Sequence, residues 1–252
     1  MNLPIGRIGK YEISRLICGG NPFRSFAHSG ELKYVSRLFA EYFTDEKVVD
    51  TLSLCADNGI NTFLGRTDDH VARFLDKYEQ ARGERIQWIA QTAPERRPIE
   101  INIKFAAKRG AIGCFTHGRT SDDLATEGNL AKIGECMDMI RENGMIAGVG
   151  SHRPQVIRAV HEAGIDVDFF FLTINNVGYE CEDPGLAGET MRSIDKPFIG
   201  FKTLGAGRTT PDKGFKFAVE SGADFIAVGM FDFQVKEDIA VAKEVFRSSQ
   251  GI

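Results

Sequence analysis

The stretch MIAGVGSHRPQVIRAVHEAGIDVDFFFLTINN, residues 145–176, decides the fold. Its two ends, MIAGVGSH (145–152) and VDFFFLTINN (167–176), are apolar runs that each finish in polar side chains. A strand with one face in water alternates apolar and polar residues. A strand apolar throughout is covered on both faces, as in a parallel sheet between helices. PQVIRAVHEAG, between the two runs, reads as a helix. Strand, helix and strand in this order form a parallel pair joined by a right-handed crossover.

The same beat repeats along the chain. RLICGGN (15–21), NTFLGR (61–66), IQWIAQT (86–92) and AIGCFTHG (111–118) read as the first four strands, and PFIGFKT (197–203) and FIAVGM (225–230) as the last two. The intervening segments read as helices. ELKYVSRLFAEYF and TDEKVVDTLSLCADNG follow the first strand, the second capped by Thr44 and stopped at Asn58-Gly59. LAKIGECMDMIRENG, with Leu130, Ile133, Cys136, Met137 and Ile140 at helical spacing, follows the fourth. Eight βα units in 252 residues fit a single-domain α/β (β/α)8 TIM barrel spanning residues 1–252. An open sheet of that width would need more polar edge strands. GRIGKYEIS, turning at Gly9-Lys10, reads as an N-terminal β-hairpin closing the bottom of the barrel.

Composition narrows the function classes. The chain carries 31 Lys and Arg against 35 Asp and Glu, a formal charge of −4, with no basic arm, so a nucleic-acid partner is not expected. No apolar run reaches the ~20 residues that cross a bilayer, and MNLPIGRIGKYEIS has no signal-peptide core. The expected location is cytoplasmic, and the expected partner a polar or anionic small molecule. The cysteines at 18, 55, 114, 136 and 181 are scattered, with no CxxC pair, and read as free thiols in a reducing compartment. Oligomeric state is left open by the sequence.

In a barrel of this kind, catalytic groups come from the C-terminal strand ends and the loops after them. Those positions carry Asn21 and Arg24, then Arg66, Asp68 and Asp69, then Gln91, His117, Arg119, His152 and Arg153. Asn175, Asn176, Glu180, Lys202, Arg208 and Asp232 complete the ring. A ring with both charge signs and two histidines marks a functional face.

The N-terminal third and two later strands resemble a known family. GRIGKYEISRLICGGNPF followed by VVDTLSLCADNGINTF resembles the opening of the aldo-keto reductases, THG at 116–118 resembles the family's fourth-strand histidine, and GMIAGVGSH resembles its fifth strand. The resemblance implies the barrel and, in the family's usual form, NADPH-dependent carbonyl reduction by a tyrosine tuned by lysine and aspartate. This chain keeps only His117. Leu64 stands at the aspartate position, GRTDDHVARF holds no tyrosine, and Gln91 or Thr92 replaces the lysine. Without the phenol and the groups that tune it, that reduction loses its proton donor. VGMFDFQVKED also lacks the basic cluster that would grip the 2′-phosphate of NADPH. The chain thus reads as a divergent member with its catalytic tetrad largely absent.

The remaining groups admit several roles. His117 and His152 end neighbouring strands and read as acid–base groups. With Glu180 they also form a candidate two-histidine-one-carboxylate set for zinc, manganese or iron. Asn175 and Asn176 suit substrate hydroxyl or carbonyl recognition or, equally, a self-bonded turn. Arg66 and Gln91 are candidate substrate contacts, Arg66 pairing with a carboxylate, a phosphate or Asp68. Alternation in PFIGFKT puts Phe198, Gly200 and Lys202 on one face and Ile199, Phe201 and Thr203 on the other. Taking the second set as packed under helices aims Lys202 at the barrel axis. GFKTLGAGRTTPD also resembles the strand-seven lysine and turn of class I aldolases. Gly205, Gly207 and Arg208 form a candidate anion-binding turn before a helix. The favoured function is a non-redox lyase or isomerase acting on a polyhydroxylated carbonyl compound such as a sugar derivative. The alternatives are an NADPH-using aldo-keto reductase-type oxidoreductase and a non-catalytic ligand-binding barrel.

Overall fold

The structure, a computed structural model, describes residues 2–28, 30, 32 and 34–249. The outer ends of the 1–252 domain, and positions 31 and 33 in the helix read from ELKYVSRLFAEYF, lie outside the described residues. The rest of that helix is α1, Tyr34–Tyr42.

Two short strands, β1 (Ile5–Ile8) and β2 (Tyr11–Ser14), pair antiparallel around Gly9, which takes a left-handed φ of 56°. Eight parallel strands then close into a barrel: β3 (Leu16–Gly19), β4 (Thr62–Arg66), β5 (Gln87–Gln91), β6 (Gly113–Thr116), β7 (Ile146–Ser151), β8 (Phe169–Thr173), β9 (Phe198–Phe201) and β10 (Phe225–Gly229), with β10 returning to β3. The chain is therefore a single (β/α)8 barrel preceded by a hairpin, as its periodicity predicts. No helix among the described residues is long and apolar enough to cross a membrane.

The hairpin closes the bottom of the barrel. Ile8 and Ile13 are fully buried against the barrel interior. Asn61, just before β4, fastens the hairpin by accepting from the Ser14 N–H (2.9 Å) and donating to the Glu12 carbonyl (3.0 Å).

The interior is rich in phenylalanine. Phe115, Phe169, Phe171 and Phe225 point inward, and Phe171 stacks on Phe201 with ring centroids 4.0 Å apart. Such rings need empty volume opposite them, which β7 supplies. A Cβ on Gly148 would stand 2.3 Å from the Phe169 ring, so only glycine fits there. Outside the barrel, Phe170 and Phe198 join the layer between strands and helices.

This packing inverts one expectation. Ile199 and Phe201 face the barrel interior, whereas Phe198 faces the helices. The alternation of β9 was legible, but its two faces were assigned the wrong way round. In a barrel filled by phenylalanine rings, the bulky apolar row goes inside.

The helices are positioned by local signals. α2 (Asp45–Asp57) is capped by Thr44, whose hydroxyl accepts from the Lys47 N–H at 3.2 Å. α3 (Asp69–Arg82) is capped by Asp68 and ends at Gly83 in the left-handed region. α4 (Ile99–Lys108) follows β5. Two helices, α5 (Gly118–Thr126) and α6 (Leu130–Glu142), lie between β6 and β7, where the sequence reading placed only the second. α7 (Pro154–Glu162), α8 (Pro184–Ser193), α9 (Pro211–Glu220) and α10 (Val235–Ser249) complete the ring. All five cysteines are buried free thiols.

Candidate functional site

The inward rows of β6 and β7 end in the two histidines. Register pairs Thr116 with Val149, so His117 and His152 leave neighbouring strands close to one another. A proton on His152 would disfavour protonation of His117.

His152 is held by a residue the sequence reading passed over. Its Nδ1 lies 2.9 Å from Asp122 Oδ2, and its backbone N–H donates to the same oxygen at 3.2 Å. The other carboxylate oxygen accepts from the Ser151 hydroxyl. Asp122 sits on α5 with 6% of its surface exposed. A carboxylate only accepts, so Nδ1 carries a hydrogen, and in the neutral form of the ring the lone pair is on Nε2. That Nε2 lies 3.7 Å from Glu180 Oε2. The ring also rests against the start of α5: a Cβ on Gly118 would come within 2.8 Å of His152 Cε1.

His117 caps α5, its Nδ1 accepting from the Arg119 N–H at 3.2 Å. Burial is the main force lowering its pKa, with Arg66, His152, Arg119 and Lys202 adding to it, and the result is about 4. The imidazole is therefore neutral at pH 7. Since Nδ1 accepts, Nε2 bears the hydrogen and is a donor. Two histidines on adjacent strands thus offer different atoms: a donor on His117 and a lone pair on His152.

Glu180 and Lys202 form the other half of the site. Lys202 Nζ is 2.5 Å from Glu180 Oε2, and the lysine side chain is 11% exposed. Burial pushes the Glu180 carboxyl up, but Lys202, the Tyr179 hydroxyl and His152 outweigh it and hold the carboxyl below its ordinary range. Both residues have left-handed backbones, φ 44° for Glu180 and 57° for Lys202. A non-glycine residue holds that conformation at a cost of order 1–3 kcal/mol, which neighbouring contacts must offset. The left-handed turn at Lys202 also explains its direction. Simple alternation past Phe201 would send the lysine outward, and the turn brings it back over the mouth, 5.4 Å from the Tyr179 ring centre.

The other sequence candidates are placed as follows. Asn175 is fully buried and spends its amide on its own loop, accepting from Tyr179 N–H (3.0 Å) and Val177 N–H (3.2 Å) and donating to Tyr179 O (2.8 Å). It serves the turn that carries Tyr179 and Glu180. Asn176 is exposed. Arg208 folds back on its own turn, donating to Gly205 O at 2.8 Å and stacking on Tyr179 at 4.2 Å. Its guanidinium therefore braces the turn of Gly205 and Gly207. Arg66 and Gln91 end β4 and β5 at paired positions on the inward row, and Arg66 is bonded to Glu95 and lies over Phe26. Asp232 accepts from Tyr42 and Lys47, tying α1 and α2 to the loop after β10.

For His117, His152 and Glu180, the candidate ligand set, the geometry adds no support. Among the described residues no group of three or more His, Cys, Asp or Glu is placed to hold a metal ion. Glu180 instead faces the Lys202 ammonium, and His152 gives Nδ1 to Asp122.

Asp122 and Gly118 are the positions in contact with His152 that the sequence did not single out. Their signal lay in GRTSDDLAT (118–126), a complete short helix that directly follows the fourth-strand histidine.

No protein-family model matches the chain, and neither does any curated protein sequence. Solved structures share its fold. One described as "Putative aldo-keto reductase from Pseudomona aeruginosa" matches over 97% of each chain with a TM-score of 0.72 and 15% identity. One described as "Native KDPGal structure" covers 94% of this chain and 95% of its own, with a TM-score of 0.58 and 12% identity. The "Amycolatopsis orientalis BexX/CysO complex" covers 97% and 95%, with a TM-score of 0.60 and 15% identity. At these identities the likeness is one of fold.

Proposed function

We propose that this barrel is a non-redox lyase or isomerase that removes a proton next to the carbonyl of a polyhydroxylated compound. One observation carries the reading: His152 is oriented by Asp122 at 2.9 Å and turns its free nitrogen toward the Glu180–Lys202 pair. A base needs a lone pair aimed at the substrate and a partner that stabilises the proton it gains, and Asp122 supplies the second.

The remaining groups take complementary roles. The neutral His117 donates from Nε2 to the carbonyl oxygen, where negative charge grows as the C–H bond breaks. The Lys202 ammonium, held in place by Glu180, stabilises the same enolate. The C–H electron pair moves into the enolate and the proton goes to His152 Nε2. Passage of the hydroxyl proton from one enediolate oxygen to the other through His117, and return of the His152 proton to the former carbonyl carbon, give an isomer. Loss of a β-hydroxyl as water, with the proton supplied by the same pair of groups, gives a dehydrated product.

Fold likeness to a putative aldo-keto reductase favours a second reading, hydride transfer from NADPH. Tyr179 is the phenol beside the site, and it is poorly suited to donate the proton. Burial and the Glu180 carboxylate raise its pKa, where a reductase acid needs it lowered. The test is proton exchange with heavy water in the absence of nicotinamide, using a panel of aldoses, ketoses and sugar acids. Turnover that strictly requires NADPH would instead support the reductase.

A further inference from the structure

We propose that the cleft between the loops after β3, β4 and β5 is a binding subsite for the phosphate group of the substrate. This rests on the reading above for where the carbonyl end lies, but its evidence is separate.

The cleft encloses about 260 Å³ and is lined by Arg24, Asp68, Asp69, His70, Arg96 and Arg97. That is several times the ~30 Å³ share of one water, enough for a tetrahedral oxyanion and its ester oxygen. The segments after β3 and β5 thus bring three guanidinium groups to one opening. A fourth, on Arg66, stands between this cleft and the histidines. Arg24 and Arg96 are close enough to bear on its ionisation, and it in turn bears on His117.

The positive charge is incompletely matched. Arg24 pairs with Asp68 at 2.8 Å, Arg97 with Asp69 at 2.5 Å, and Arg66 with Glu95. Arg96 has no ion-pair partner among the described residues, so four cations face three carboxylates. One donor at the cleft is also unused. Arg97 Nη1 is buried without a hydrogen-bond partner. His70 Nδ1 lies 3.2 Å from Arg24 Nη1, a group that only donates, which puts the imidazole hydrogen on Nε2. That Nε2 makes no hydrogen bond but faces the Asp45 carboxylate, 3.9 Å away, so it is not a free donor for an anion. A buried donor left unpaired is costly, and a site that binds an anion gives such donors an occupant.

The location is not the one the sequence suggested. Barrels often hold phosphate on the loops after their last two strands. Here Arg208 is taken up by Gly205 and Tyr179, and the arginines gather on the loops after β3 to β5 instead. A dianion suits this cleft better than a single carboxylate, which one bidentate arginine satisfies.

The experiment is thermal unfolding of the full chain titrated with inorganic phosphate, against sodium chloride at matched ionic strength. We expect a saturable rise of the midpoint in phosphate. Arg96→Gln, which removes a side chain without an ion pair, should weaken the apparent affinity at least about tenfold. Its midpoint in chloride alone should match the parent, and the distant Arg7→Gln should behave as the parent in phosphate. Equal shifts in phosphate and chloride, or an unchanged response in Arg96→Gln, would overturn the proposal. Stabilisation by malonate but not by phosphate would overturn it in favour of a carboxylate. Because the readout is binding, failure of the acid–base reading leaves this result unaffected.

Discussion

Asp122 is where the account is most exposed to a single substitution. Its carboxylate fixes the tautomer of His152 and would stabilise the imidazolium formed when the base takes a proton. Asp122→Asn keeps the shape and the acceptor for the Ser151 hydroxyl but removes the charge. We expect the rate of the proton-transfer step to fall at least ~10²-fold, with substrate affinity little changed. A rate within a few-fold of the parent would remove Asp122 from the mechanism. Lys202 gives a second lesson at this scale. Its arrival at the mouth was legible, but the face assignment that led there was inverted. Alternation fixes which residues share a face and is silent on which face is the interior. The left-handed φ that redirects the side chain has no signal in FKT, where glycine would have announced it.

At the scale of elements, α5 carries most of what sequence reasoning missed. The strand ending in His117 and the apolar periodicity from Leu130 were both clear. The short polar helix between them has few buried apolar residues, so its pattern was too weak to read. Its first residue makes a sharp prediction. At Gly118 helix propensity favours alanine over glycine, by about 1 kcal/mol. A Cβ there would stand 2.8 Å from His152 Cε1 and 3.0 Å from Nδ1, so the ring must move off its seat. Gly118→Ala should therefore leave thermal stability within ~1 kcal/mol of the parent while cutting the rate of proton transfer at least about tenfold. A variant of unchanged rate would show that the seat does not position the ring. The loop after β8 follows the same logic. Asn175 read equally as a turn former or a substrate contact, and three bonds to its own loop put it in the first role.

For the whole molecule, the barrel was legible because eight apolar runs had nowhere else to go, and the hairpin because its apolar residues needed cover at the bottom. Charge distribution was less legible. Arg96 and Arg97 lie on the loop after β5 and His70 in the first turn of α3, segments whose proximity is set only when β3 to β5 align. Burial of His117 also ties the site to global stability. Its pKa falls from an ordinary 6.5 to about 4, so the folded chain resists a proton that the unfolded chain accepts. Stability from this group is intact above about pH 6.5 and is lost as pH falls toward 4. The gap corresponds to about 3 kcal/mol. His117→Asn preserves an N-cap acceptor without a titrating ring. Its unfolding free energy should decline less steeply than the parent's between pH 6.5 and 4 in urea titrations. Parallel curves would mean that His117 is readily protonated in the folded state.

The central claim is that His152, set by Asp122, removes a proton beside a carbonyl without a redox partner. It is tested most directly by proton NMR of a sugar-type carbonyl substrate in heavy water with no nicotinamide present. The account predicts that the parent protein washes deuterium into the carbon next to the carbonyl, and that His152→Ala slows this at least ~10²-fold while unfolding at the parent's midpoint. Equal exchange in parent and His152→Ala, or none across the panel in either, would contradict it.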